Sequence, residues 1–287
     1  MEITRGYYDL CIPFSDRSKL KTLVKELIEL GYRTIAIEQT YDHSKKTGEK
    51  RADIFPAPED LSFLKEFESK IKIFSRLTII YTDVSVSHPM SKSVNLQKFH
   101  IIAGQPKNDT AWTHCCSTFA GDMITFSPDD PKIFINRKTY QVAINRGLFF
   151  EIKYSEAIRN SSHRKDMIKV SHNYHSKGKS KGVLMSSGAT NVFELRGPYD
   201  VANLGLLFGL SEEQGKNAIG ANCRKLLLNA ESRRAGKTFF VMTAKGPIVF
   251  SSSEDEGSDD EDSALEDDAM EGLEIDLQQP SKKKRFT

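Results

Sequence analysis

The sequence predicts an α/β protein: a TIM-like β/α barrel over residues 1-248, with closing C-terminal helices, followed by a disordered acidic tail over residues 249-287. Three observations predict it. The N-terminal stretch reads as strand, helix, strand, a unit that asks for a parallel sheet. The same apolar rhythm then recurs at intervals of roughly 20 to 40 residues, which a closed barrel accommodates most simply. Composition changes sharply near residue 250, where apolar residues give way to Ser, Asp and Glu.

Tyr8-Asp9-Leu10-Cys11-Ile12 is a short apolar run closed by Pro13, and Ser15 to Ser18 supplies helix-start chemistry. Leu20, Leu23, Val24, Leu27 and Ile28 recur with helical spacing, making one buried stripe that Gly31 ends. Thr34 to Ile37 is a β-branched second strand. Five more strand candidates follow: Leu77 to Tyr81, Phe99 to Ala103, Asp122 to Phe126, Phe149 to Ile152 and Gly182 to Ser186. An open doubly wound sheet usually carries a Gly-rich turn after its first strand. Here that turn reads Pro13-Phe14-Ser15-Asp16, so the barrel is favoured.

Helices dominate the remainder of the body. Pro198 after Gly197 suits a first helical position, and Val201, Leu204 and Phe208 share a face ending at Gly209. Ser211 and Gln214 have capping-box spacing. Cys223, Leu226, Leu227 and Ala230 form a last apolar stripe before Arg233 and Arg234.

The formal charge of +2, from 41 Lys+Arg and 39 Asp+Glu, averages two unlike pieces. Residues 251-287 hold 13 acidic and 4 basic side chains, and residues 1-250 hold 26 and 37. Within the body, residues 132-181 carry 12 basic and 3 acidic side chains. The densest part runs from Arg159 through Arg164, Lys165 and Lys169 to Lys177, Lys179 and Lys181, and includes the flexible-looking KGKSKG. Ser161, Ser162, Ser171, Asn173 and Tyr174 lie among these cations, so a phosphate backbone is the natural partner. No helix-turn-helix, zinc finger or basic zipper is evident, which favours RNA read by shape over DNA read by sequence.

Metal and nucleophile motifs are sparse. The seven histidines form neither H-x-H nor H-E-x-x-H, and His172 and His175 sit among lysines that repel cations. His114, Cys115 and Cys116 are helix neighbours that do not face one another, so buried structural cysteines are expected. Asp9 and Glu38, at or near the ends of adjacent strands, leave open a degenerate metal-dependent phosphoesterase site at the barrel mouth; capping of a neighbouring loop is the alternative. No catalytic residue, metal site or cofactor is assigned. No stretch reaches the roughly 18 apolar residues of a membrane span, and the absence of an apolar signal core and of paired cysteines argues for a reduced intracellular setting. Lys282-Lys283-Lys284-Arg285 reads as a nuclear import signal, and Ser251, Ser252, Ser253 and Ser258 beside carboxylates suit acid-directed kinases.

The segment from Phe193 to Ser211, FELRGPYDVANLGLLFGLS, resembles the signature of the barrel subunit of eukaryotic nuclear ribonuclease P, shared with ribonuclease MRP. Within it Arg196, Gly197, Pro198, Asp200 and Asn203 carry the likeness. Similar stretches are Tyr8 to Leu10, Arg76 to Ile80, Val142 to Gly147, Phe150 to Ser155 and Asn222 to Arg224. The resemblance implies a barrel related to the polymerase and histidinol phosphatase metal enzymes but used as a scaffold, because Asp9-Leu10-Cys11 stands where those enzymes carry H-x-H. It implies a noncatalytic RNA-binding subunit supporting RNA-catalysed removal of the 5′ leader of precursor tRNA, and pre-rRNA processing in MRP. The implied partners are the ribonuclease P and MRP RNAs, a small ferredoxin-like protein subunit, other holoenzyme subunits and, through the complex, precursor tRNA. The implied location is the nucleus and nucleolus, with no membrane. On this basis Arg76, Arg146, Arg164, Lys165, Lys177, Lys179 and Arg196 are expected to contact RNA or subunits. For Arg76 and Arg146, each beside an apolar run, pairing with a carboxylate is an equal alternative.

Overall fold

The computed structural model describes residues 6–45, 53–129 and 133–236. Among these residues seven strands run parallel in chain order: β1 (Tyr7–Pro13), β2 (Tyr32–Asp42), β3 (Lys72–Tyr81), β4 (Ile101–Pro106), β5 (Met123–Ile124), β6 (Phe149–Lys153) and β7 (Val183–Ser186). β7 and β1 come side by side without a strand ladder, and the ring is bridged just past β7, where Gly188 N donates to Cys11 O at 2.8 Å and Ser187 N to the Asp9 carboxylate at 3.0 Å. All seven sequence-predicted strands are present, although β3 starts earlier than expected and β5 is reduced to two paired residues.

Among the described residues ten α-helices follow or cap the strands: α1 (Arg17–Glu29), α2 (Ser87–Lys92), α3 (Val94–Lys98), α4 (Asp109–Ser117), α5 (Arg137–Asn145), α6 (Tyr154–Arg159), α7 (Ser161–Gly178), α8 (Pro198–Leu207), α9 (Glu212–Ala218) and α10 (Ala221–Ala235). Helix α1 buries Leu20, Leu23, Val24 and Leu27 against Ile35 and Ile37 of β2, as the spacing dictates. At about 1.5–3 kcal/mol per buried aliphatic side chain, that stripe outweighs any helix propensity term. Gly31 ends the helix with φ +94°, a conformation that side chains with a Cβ rarely adopt. The Ser211–Gln214 capping box is formed in both directions at the start of α9.

Alternation along the strands separates the barrel interior from the surrounding helices. Tyr8, Phe74, Ile101, Met123, Phe149 and Leu184 form an apolar interior layer, and α10 closes it from the strands' N-terminal side with Cys223, Leu226 and Leu227. Arg233 fixes that plug through two bonds to Asp122, 2.8 and 2.9 Å, while Asp122 also accepts from Ile102 N. Two residues further along the strands the interior becomes polar, at Arg76, Glu151 and Ser186, and four residues further at Thr78 and Lys153. The expected domain boundary at residue 248 lies outside the described residues, as do Ser251, Ser252, Ser253, Ser258 and the Lys282–Arg285 run.

Candidate nucleic-acid interface and the barrel interior

The polar layer of the barrel is built around Arg76, which is fully buried. Its guanidinium grips Glu151 with two bonds of 2.5 and 2.6 Å, approaches Glu38 at 3.0 Å, and donates to Leu10 O at 2.8 Å and Thr78 Oγ1 at 3.2 Å. Lys153 reaches Glu38 at 3.2 Å, Thr78 donates to the same oxygen at 2.6 Å, and Cys11 Sγ donates to Glu38 Oε2 at 3.3 Å. Ser186 completes Glu151 at 2.5 Å. Two carboxylates are thus neutralised by two cations inside the cylinder. Burial acts to raise the Glu38 carboxyl, but Lys153, Arg76 and Thr78 outweigh it and hold it down to about 2. Glu151 is likewise held low by Arg76 against its own burial.

Asp9 has a different environment. Its Oδ1 accepts from Ser187 N at 3.0 Å and Cys11 N at 3.3 Å, whereas its buried Oδ2 has no partner. Burial pushes its carboxyl up to about 6 despite those bonds. Asp9 therefore caps the loop after β7, the alternative weighed from its sequence position. Among the described residues no three His, Cys, Asp or Glu side chains converge as metal ligands, and the phosphoesterase reading acquires no ligand set. His114 is tied to Tyr81 and Ser87, and Cys115 and Cys116 are buried beside it, their thiols pushed up by desolvation.

The expected contact residues divide into three groups. Arg76 takes the second of its two expected roles, pairing with carboxylates: it has no exposed surface and its donors lie on Glu151 and Glu38, so it is internal framework rather than a surface contact. Arg146 and Arg196 cap backbone. Arg146 donates to the carbonyls of Cys115, Cys116 and Phe119, the end of α4, rather than to a carboxylate. Arg196 donates to Phe193 O and Leu195 O at 2.8 and 2.7 Å.

Arg164, Lys165, Lys177 and Lys179 are brought together by one element, α7. The helix starts at Asn160, whose side chain accepts from Ser162 N, and buries Met167, Ser171 and Tyr174. Tyr174 packs on Phe150, which stacks on Tyr140 at 4.1 Å, so β6 and α5 hold the inner face rigidly. Arg164, Lys165 and Lys169 are left on the exposed face with His172, and Lys179 is exposed at the helix end. Fifteen residues of helix spread these charges over roughly 22 Å, the span of several phosphates.

The KGKSKG stretch is ordered rather than flexible. Lys179 N donates to His175 O and Ser180 N to Tyr174 O, an αL-type closure with Lys179 at φ 51° and Ser180 at φ 57°. Gln214 and Tyr140 clamp the carbonyls of Lys179 and Lys181. Left-handed backbone at two residues that carry a Cβ is held by these contacts, and it fixes where Lys179 points.

The sequence of this chain matches a family model described as RNase P subunit p30 over residues 6–235. The chain belongs to the p30 family. A mouse relative, ribonuclease P protein subunit p30, is 36% identical over 248 residues, covering 84% of this chain and 91% of the mouse protein. A Schizosaccharomyces pombe relative, probable ribonuclease P protein subunit 3, is 29% identical and covers 76% and 89%. The Saccharomyces cerevisiae ribonuclease P/MRP protein subunit RPP1 is 28% identical and covers 84% and 82%. Among solved structures, a chain of archaeal ribonuclease P with mature tRNA superposes with TM-score 0.58 at 14% identity, covering 86% of this chain and all of the other, which shows a shared fold.

Sequence reasoning about this p30-family chain missed Glu151 as the partner of Arg76 and Lys153 as the partner of Glu38. The available signal was parity: Arg76, Glu151 and Lys153 occupy inward positions on otherwise apolar strands, where an unpaired charge is prohibitive.

Proposed function

We propose that this chain is a noncatalytic, RNA-binding protein subunit of ribonuclease P, supporting RNA-catalysed removal of the 5′ leader of precursor tRNA. A Saccharomyces cerevisiae relative is named as a ribonuclease P/MRP subunit, and the proposal extends to ribonuclease MRP and, with it, pre-rRNA processing. The observation that carries this reading is the family match across nearly the whole described body, residues 6–235. The exposed cations of α7 supply a physical means, since Lys and Arg on a rigid ridge release counterions from phosphates without reading bases. The polar interior gives no support to chemistry by the barrel itself, because Glu38 and Glu151 are engaged by Arg76 and Lys153. The finer assignments belong to the same proposal: nuclear and nucleolar residence, the ribonuclease P and MRP RNAs, and a small ferredoxin-like subunit as partner.

Purification of the tagged chain from nuclear extract, followed by sequencing of bound RNA, tests it. Ribonuclease P and MRP RNAs are expected, and their absence sinks the proposal. A second measurement addresses α7 directly. Replacing Arg164, Lys165, Lys177 and Lys179 by Ala should weaken binding to the complex's RNA and flatten the plot of log affinity against log salt by about 0.7–0.9 for each phosphate no longer neutralised. An unchanged slope means that α7 is only a solvated face.

A further inference from the structure

At the C-terminal ends of β4 and β5, α4 and α7 form the walls of a cleft. Its empty space is about 600 Å³, open solvent at the mouth included, which is within the range of small-ligand sites. Trp112 of α4, Phe126 just past β5, Ile135 and Tyr174 of α7 are buried residues that line it. Three aromatic side chains around one space give a flat ring faces and edges to pack against.

One stripe of α7 brings polar groups to the same space. Asp166, Lys169, Val170 and Asn173 fall at i, i+3, i+4 and i+7, one side of the helix, and all four line the cleft. Asp166 is the only acidic residue between positions 161 and 181, where six Lys and Arg stand. Among the described residues neither its carboxylate nor the Asn173 amide has a hydrogen-bond or ion-pair partner. Thr125, also in the lining, is 1% exposed, and its buried hydroxyl has no partner either. A buried hydroxyl left unbonded is costly, and a ligand that bonded it would recover that cost.

We propose that this cleft takes one unpaired guanine of RNA. A carboxylate only accepts hydrogen bonds, so its match is an edge with two neighbouring N–H donors. Of the four RNA bases only guanine has such an edge, at N1 and N2, with the O6 acceptor beside it for the Asn173 amide or the Thr125 hydroxyl. Unstacked bases are held by aromatic side chains and by hydrogen bonds to this edge, while Lys169 in the lining and Lys165 on the exposed side of α7 attract the flanking phosphates. On a helix that met phosphate alone, the carboxylate of Asp166 would only repel; here it reads a base. The proposal rests on the reading above that the chain binds RNA, and it adds recognition of a base to the phosphate contacts of α7.

Trp112 is the chain's only tryptophan, so its fluorescence reports on the cleft. The full chain is titrated with a short oligouridylate carrying one guanosine, with the all-uridine oligomer, and with one carrying an abasic residue in place of the guanosine. The guanosine oligomer should quench Trp112 and bind at least about fivefold more tightly than the other two. Asp166→Ala, with its fold checked by circular dichroism, removes a negative charge from a basic helix, which on phosphate attraction alone leaves binding unchanged or tightens it. The expected result is the opposite for the guanosine oligomer, at least about fivefold weaker binding, with the all-uridine oligomer not weakened. In the complex isolated through the chain, a photo-reactive benzoylphenylalanine at position 128, in the lining of the cleft, should cross-link to RNA. No quenching, equal affinity for the three oligomers, no loss on Asp166→Ala, or a cross-link to a polypeptide or to nothing overturns the proposal. Lys165→Ala/Lys169→Ala should weaken all three oligomers alike. If it does not, α7 fails as a phosphate-binding surface, an outcome that the guanosine preference judges separately from the cleft.

Discussion

Replacing Arg76 by Met removes the cation at the centre of the barrel while keeping much of its volume. The guanidinium holds both oxygens of Glu151 and one of Glu38, and it satisfies Leu10 O. Lys153 remains to neutralise Glu38 at 3.2 Å, so Glu151 is the carboxylate left buried with only Ser186 as donor. Breaking a buried pair on one side costs about 3–5 kcal/mol. For a domain of this size that is a fall in melting temperature of roughly 6–20 °C. The loss should depend on pH in a definite direction. In the parent, Glu151 is held below its usual value by Arg76, so its contribution is present above about 4.5 and is lost as pH falls below that. In the variant, burial unopposed raises the same carboxyl, which takes up a proton instead of remaining charged. The gap between parent and variant should therefore shrink by up to about 1.4 kcal/mol per pH unit as acidity increases. Urea unfolding of the full chain followed by circular dichroism, at pH 7.5 and pH 5, measures it. A loss below about 1 kcal/mol at pH 7.5, or one equal at both pH values, would falsify the ion-pair account. Weakened RNA binding by a variant still folded at the assay temperature would return Arg76 to the RNA interface.

Two further changes probe the interior and the α7 ridge. Asp9, pushed up to about 6 from 3.8, is neutral in both states at low pH and charged in both at high pH, so native stability drops as pH rises through that window. The drop amounts to about 3 kcal/mol. Asp9→Asn should remove it, so that the variant gains on the parent between pH 4 and pH 7.5; parallel stability curves would exclude a buried Asp9 charge. At the end of α7, a Cβ on Gly178 would fall 1.9 Å from the Tyr140 ring. Gly178→Ala should cost about 1–3 kcal/mol by overpacking, although such a change in an open helix usually stabilises. A raised melting temperature would mean that α7 does not sit on Tyr140 as described.

Much of the fold was legible because its determinants are local. The stripe of Leu20, Leu23, Val24 and Leu27, the Pro198 start of α8 and the Ser211–Gln214 capping box each depend on residues a few positions apart. Short apolar runs at strand spacing were enough to locate all seven strands. The KGKSKG turn was misjudged because Gly and Lys read as flexible until Gln214 and Tyr140, far away in sequence, bind its carbonyls. Exposure of the α8 face was hidden as well, since Val201, Leu204, Leu206 and Leu207 look alike until α9 covers one side.

The sequence by itself determined a parallel β/α body, a basic segment over residues 132-181 and a family likeness carried by consecutive residues. Each is a property of neighbours along the chain. Which charges are buried and paired, and which remain in solvent, was decided only by tertiary structure. Arg76 and Glu151 are 75 positions apart, yet barrel closure sets them 2.5 Å apart, where removal from water makes each the other's necessary partner. Arg164 and Lys165, no more basic in sequence, remain in solvent because α7 turns Met167, Ser171 and Tyr174 inward instead.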